Sequence, residues 1–342
     1  MNESVRIITG ARLHFGLLDI ASPFGGCGVM IDQPETIVEA RPSDCFEFSQ
    51  VATSVDHLQR ATAIAQRIGE QTHPSGALPP VHVSVKSIAP PHSGLGSGTQ
   101  LSLAISEAIL RTSRGVSTAS GANGSAGDVL TVDRDLWLHA ADRGRRSAVG
   151  THGYLEGGFI VEGLESSRDA DSLNALDLRL VLPEAWRVAI LLPATPLPSD
   201  ASVSGEQEQA RFAALSAVPN DVRQSLVRFL TDALVPAIEN GDFRSFCEAT
   251  TAYNRSSGEL FSDVQGGAYN GEETTRLIER LIETGFDGVG QSSWGPGVFV
   301  WHPDEASAEQ FRCDWSGAQY NVLVARPKAD GRQLETFIGG SS

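Results

Sequence analysis

The chain has 342 residues, 41% hydrophobic and 20% charged, a composition that excludes a disordered polymer and leaves room for two packed domains. Its 42 acidic residues outnumber 26 basic ones, and the net charge of −16 excludes general attraction to nucleic acid or an anionic membrane. An anionic ligand must therefore meet a local basic site, and since Lys86 and Lys328 are the only lysines, arginine must supply it.

The opening residues, MNESVRIITGARLHFG, lack the basic and then apolar pattern of a secretion signal, and no later apolar run reaches membrane-spanning length. A soluble cytoplasmic protein is expected. Cys27, Cys45, Cys247 and Cys313 are scattered without a CxxC pair, which suits reduced thiols, Cys27 being a packing residue. Alternation predicts strands at Val5 to Thr9, Thr36 to Ala40 and Val81 to Ile88, and helical spacing predicts helices at 56–69, 99–111 and 133–142. On the first strand, alternation puts Arg12 and His14 on one face, ahead of Asp19 and the Gly25-Gly26-Cys27-Gly28 turn.

Residues 81–110 read as strand, proline stop, glycine-rich turn, then a helix with Leu101, Ala104, Ile105, Ala108 and Ile109 on one face. Gly94, Gly96 and Gly98 permit close backbone approach, Ser93, Ser97 and Thr99 add hydroxyls, and the new helix offers unpaired N–H groups to an anion. The segment is either a phosphate cradle or a tight turn capped by Ser97 or Thr99. It fits neither GxxxxGK[ST] nor GxGxxG.

Small residues at 115–127 predict an exposed loop. Arg143, Arg145 and Arg146, in DRGRRS, form the densest positive cluster, either a solvated turn or a group that neutralises a polyanion. Polar text at 166–177 reads as a linker before a strand at 186–192, so the domains are expected at 1–180 and 181–342. The second half predicts helices near 204–215, 221–240, 242–256 and 271–284, with strands at 297–302 and 320–326, an α+β arrangement. Between them, Gln291, Ser292, Ser293 and Trp294 precede Gly295-Pro296-Gly297, joining polar donors to an aromatic plate in one turn. No HxxxH or HExxH spacing suggests a built-in metal cage.

Residues 90–97, PPHSGLGS, resemble the phosphate loop PxxxGLGSS of the GHMP kinase superfamily. With ARLHFGLLD at 11–19, RGRRSAVGTHGYLEGGFIVEG at 143–163 and GVGQSSWGPGVFV at 288–300, most of the chain is similar to a non-kinase branch, the β-ribofuranosylaminobenzene 5′-phosphate synthase family. The resemblance implies an N-terminal ribosomal-protein-like α+β domain and a C-terminal ferredoxin-like α+β sandwich. It also implies coupling of 5-phosphoribosyl 1-diphosphate to 4-aminobenzoate or 4-hydroxybenzoate, with loss of diphosphate and carbon dioxide, in tetrahydromethanopterin synthesis.

Magnesium brought by the diphosphate, no organic cofactor and a homodimer go with that resemblance, and Asp19 is the candidate magnesium ligand. Arg146 and Arg143 would stabilise the diphosphate, with Arg145 and Ser147 beside them. Arg12 and His14 would meet a phosphate or the aromatic acid; alternatively His14 is an interior histidine and Asp19 a turn-former. Trp294 would stack on the ring, or simply anchor its turn. Gly98 stands where the kinases carry a second serine, and RRSAVGTHG offers no carboxylate where many carry a catalytic aspartate. A superfamily kinase acting on a sugar or isoprenoid alcohol, and a non-catalytic phosphate-binding protein, are the other two readings.

Overall fold

A computed structural model describes residues 3–21, 24–50, 55–113, 134–144, 147–164, 173–195, 215 and 217–338. The first sheet has seven strands. β1 (Glu3–Leu17), β2 (Gly26–Pro42), β3 (Glu47–Gln50) and β4 (Val81–Ser87) are joined by β5 (Phe159–Glu162), β6 (Leu176–Leu180) and the last strand, β11 (Gln333–Ile338). Its order is β11-β1-β2-β4-β3, with β5 paired to the other end of β2 and β6 to β5. Helices α1 (Val55–Thr72), α2 (Ser97–Ser113) and α3 (Arg134–Ala141) cover one face through Ile64, Ile105 and Trp137, packed with Ile7, Val38 and Val83. Helix α4 (Val149–Glu156) begins just after Ser147.

The second sheet runs β10-β7-β9-β8, from β7 (Arg187–Pro193), β8 (Val289–Gln291), β9 (Val298–His302) and β10 (Tyr320–Ala325). The helical run at 220–239 comprises α5 (Asn220–Arg228), a π-helical turn (Phe229–Leu234) and α6 (Val235–Glu239). It is followed by α7 (Phe243–Glu259), α8 (Ser262–Gln265), α9 (Glu272–Glu283) and α10 (Glu305–Trp315). Helices α9 and α10 bury Leu277, Ile278, Leu281 and Phe311 against Val289, Val298 and Val300. Among the described residues no helix is long and apolar enough to cross a membrane.

Phe15 joins the two halves. Its ring stacks on Phe299 of the second sheet at 5.3 Å and meets Phe159 of the first at 5.8 Å, in a core that also holds Phe246 and Trp301. Because strand neighbours point to opposite faces, burying Leu13 and Phe15 in this core turns Arg12 and His14 the other way. Helix α7 fixes the same stretch by hydrogen bonds: Asn254 donates to the Phe15 carbonyl at 2.7 Å, and Ser257 to that of Leu17 at 2.7 Å.

The expected helices at 56–69, 99–111, 133–142, 221–240, 242–256 and 271–284 are all present with slightly moved ends. Three expectations change. Strand 320–326 is followed by a further strand, β11, which returns to pair with β1, so the C-terminal unit at 181–342 does not keep its final strand. Helix α10 was not expected, since only Ala308 and Phe311 are buried in it and its pattern is too weak to read. The linker text at 166–177 overlaps β6 at its end. The loop at 115–127 and, apart from residue 215, the helix near 204–215 lie outside the described residues.

Candidate active site

The separated sequence motifs meet around one cleft of about 1080 Å³. The glycine loop lies between β1 and the turn at 291–297. Arg12 N–H donates to the Leu95 carbonyl at 2.9 Å, Ser292 Oγ donates to the Gly94 carbonyl at 2.8 Å and accepts from His14 N–H at 3.0 Å, and Gly297 N–H donates to the Ser93 carbonyl at 3.2 Å. Two glycines make this possible. Gly94 has φ +82°, and a Cβ there would lie 2.1 Å from the Ser292 carbonyl oxygen; Gly96, at φ +71°, has the Arg12 side chain against it. The N–H groups of Thr99 and Gln100 turn back to the Gly96 carbonyl, opening α2 directly from the loop.

Arg12, His14, Gly94, Gly96, Ser97, Gly98, Thr99, Arg143, Ser147, Gln291, Ser293 and Trp294 all line the cleft. His14 Nε2 lies 3.0 Å from Ser147 Oγ, bringing the first motif onto the third. The Ser147 turn is held by Glu162, a buried carboxylate that accepts the Ala148 N–H at 3.1 Å. Arg143 donates to Ser102 Oγ at 3.2 Å. Arg145 and Arg146 lie outside the described residues.

Three expected site residues are placed elsewhere. Ser93 is buried, its hydroxyl donating to the Pro90 carbonyl at 2.6 Å, and Ser292 is the internal clamp just described. Asp19 does not line the cleft: its carboxylate accepts the N–H groups of Ile20 and Ala21 and faces Arg223 at 3.7 Å, the chemistry of a turn and not of a magnesium ligand. Gln291 reaches the cleft, but its amide is spent on the turn, accepting from Asn270 N–H at 2.8 Å and donating to the Ser293 carbonyl at 2.9 Å.

Several lining residues escaped the sequence reading. His57 and Arg60 project from α1, Lys86 from β4, and Phe261 and Tyr269 come from the segments flanking α8. The Phe261 and Trp294 rings meet at 4.9 Å, edge to face, and add an aromatic pair to a cleft also lined by Arg12, Arg60 and Arg143. Lys86 is shared with Glu39 at 3.3 Å, which leaves the arginines as the main positive groups.

Residues 234–321 match the family described as GHMP kinases C terminal. Over 316 residues the chain is 30% identical to the beta-ribofuranosylphenol 5′-phosphate synthase of Methanothermobacter thermautotrophicus, covering 86% of this chain and 87% of that one. The chain belongs to the β-ribofuranosylphenol 5′-phosphate synthase family. The synthase of the same name from Archaeoglobus fulgidus is 24% identical, with 97% and 99% of the two chains covered. Mevalonate pyrophosphate decarboxylase from Streptococcus pyogenes superposes with a TM-score of 0.64 at 13% identity, covering 96% of this chain and 98% of that one. Homoserine kinase from Cytophaga hutchinsonii does so with a TM-score of 0.60 at 16%, covering 97% of each chain. The fold is thus the two-domain α+β fold of the GHMP superfamily, and this chain is an enzyme of its synthase branch. The kinase and non-catalytic readings are not favoured by these relatives.

Among the histidines that line the cleft, His14 is the most deeply buried, and it is set against the charge of Arg12. Burial, and then the Arg12 guanidinium, hold the His14 imidazole well below the usual histidine value. In the unfolded chain the same ring takes its proton near pH 6.5, so the unfolded state binds more protons below that point, and stability falls as the pH drops from about 6.5 through the folded value. NMR titration of the imidazole resonances should therefore find the His14 ring of the folded synthase still uncharged at about pH 6.

Proposed function

We propose that this enzyme joins 5-phosphoribosyl 1-diphosphate to 4-hydroxybenzoate, forming β-ribofuranosylphenol 5′-phosphate, diphosphate and carbon dioxide, a step of tetrahydromethanopterin synthesis. The relatives' name supports the phenol over the aniline as the product. The observation that carries the reading is that one cleft is lined both by Arg12, Arg143 and the glycine loop, which suit a diphosphate, and by Trp294 and Phe261, which suit an aromatic ring.

The anomeric C–O bond breaks and its electron pair leaves with diphosphate, a charge that Arg12 and Arg143 stabilise in a partly shielded site. The ring carbon bearing the carboxylate, made electron-rich by the para oxygen, attacks the anomeric carbon. The bond to the carboxylate then breaks, its pair returns to the ring, and carbon dioxide departs. The bond changes at the ring and the anomeric carbon need no proton transfer from the protein, and the released diphosphate takes its proton from solvent. This suits a neutral His14 that holds Ser147 and adds no charge of its own. Orientation of the ring against Trp294 supplies the remaining requirement.

Among the described residues no three His, Cys, Asp or Glu side chains come together as a metal group, and Asp19 is held by Arg223 and its own turn. The residues present do not fit a protein-built magnesium site, and no step is routed through one.

The test is carbon dioxide release from carboxyl-labelled 4-hydroxybenzoate, with phosphoribosyl diphosphate and magnesium and without ATP. Labelled gas with stoichiometric diphosphate is expected; a folded protein that releases none refutes the assignment. In the same assay Trp294→Leu should raise KM for the aromatic acid by roughly 3- to 10-fold, the value of one ring contact, while KM for phosphoribosyl diphosphate changes little. A homodimer is part of the proposal, tested by sedimentation.

A further inference from the structure

Gly98 and Arg60 form an interlocked pair. Arg60 reaches from α1 across to the first turn of α2, where its Nη1 donates to the Gly98 carbonyl at 2.9 Å. A Cβ at position 98 would lie 2.8 Å from that same nitrogen, so only glycine leaves the guanidinium where it is. The obstacle would be the tip of a flexible side chain, not backbone, so a larger residue at 98 would expel the arginine and spare the fold.

Arg60 makes no ion pair among the described residues, and its Gly98 contact satisfies one N–H of five. Burial disfavours its charged form, with Asp56 on the same helix the opposing influence. The charge also sits beside the N-terminal end of α2, where the helix dipole is positive and an added cation is unfavourable without an anion to share. A half-buried guanidinium held at that place, lining the cleft and in contact with a glycine loop, is a fork set for a phosphate-type oxyanion.

We infer that Arg60 binds a phosphate of the phosphoribosyl substrate over residues 96–99, and that Gly98 is there to admit it. The inference rests on the proposed reaction for its substrate. The glycine that removes a kinase-like hydroxyl from the loop thereby installs a fixed positive charge, and the loop gains a cation where a serine would offer only a neutral hydroxyl. Two groups have the required chemistry, the diphosphate at the anomeric carbon and the phosphate at the far end of the ribose, and they can be separated.

The full-length protein is titrated by calorimetry with inorganic diphosphate and, separately, with ribose 5-phosphate. Arg60→Ala should weaken one of the two by about tenfold or more, and Arg60→Lys, which keeps the charge but loses the fork, should recover part of it. Gly98→Ala should weaken the same ligand without lowering the melting temperature appreciably, and the double variant should bind no worse than Arg60→Ala alone, because both changes remove one interaction. Which probe responds identifies the phosphate.

Unchanged affinity for both probes in folded Arg60→Ala, multiplying losses in the double variant, or a wild-type protein that binds neither probe each overturns the inference. If Arg60→Ala does not fold, Gly98→Ala alone decides, since unchanged binding there refutes the pairing. Labelled carbon dioxide release tests the reaction independently. Probe binding that depends on Arg60 without turnover would refute the reaction and leave the inference standing, and turnover indifferent to Arg60 would do the reverse.

Discussion

Alanine at position 94 is expected to lower kcat/KM by about a hundredfold or more, the scale of loss when catalytic groups are displaced by about an ångström. The cause is contact as well as conformation. Gly94 has φ +82°, which costs an ordinary residue about 1–2 kcal/mol, and its new Cβ would fall 2.1 Å from the Ser292 carbonyl oxygen. That carbonyl belongs to the turn carrying Trp294, while Ser292 Oγ clamps both Gly94 and His14, so the three motifs cannot separate independently. Gly76→Ala provides the comparison: φ there is +65°, but the nearest atom to a new Cβ is Glu70 Cγ at 3.9 Å, far from the cleft. Gly76→Ala should lose about 1 kcal/mol in urea denaturation and keep its turnover, whereas Gly94→Ala loses turnover in the protein that remains folded.

The same contrast explains which parts of the site could be read from the sequence. Gly94, Gly96, Pro90 and the alternation around Arg12 and His14 are local signals, written within a few residues, and the elements they imply are present. Arg60 and His57 carry no such mark, because a charged helix face reads alike whether it meets solvent or a cleft. Asp19 looked available for the converse reason: its partner Arg223 is distant in sequence, and only the tertiary fold brings them to 3.7 Å. Ser93 and Ser292 were readable as loop hydroxyls, but whether a hydroxyl faces a ligand or clamps a carbonyl depends on the neighbouring turn. Strand β11 was missed because its six residues, QLETFI, are partly exposed and their partner is β1 at the other end of the chain.

Glu107 was equally silent in the sequence, and its removal should cause the largest loss of stability. The carboxylate is fully buried on α2, below the glycine loop. Arg332, just before β11, donates to its two oxygens at 2.9 and 2.7 Å; Tyr154 of α4 donates at 2.7 Å, and Arg111 at 2.9 Å. Burial alone would raise the carboxyl's pKa, but Arg332, Tyr154 and Arg111 together outweigh it and hold the group below its usual value. Glu107→Ala leaves these donors facing an apolar void and should cost about 3–5 kcal/mol in urea denaturation, the penalty for breaking a buried ion pair on one side. Because the folded carboxyl binds its proton at lower pH than the unfolded one, wild-type stability from this group is complete above about pH 4.5 and declines as the pH falls through the folded value; the alanine variant should lack that part of the acid response. Glu107→Leu combined with Arg111→Met and Arg332→Met removes all three charges and restores packing, so it should regain much of the lost stability. A triple variant no more stable than Glu107→Ala would mean that the charged cluster is needed for the fold itself, holding the C-terminal strand to the helix that carries the loop.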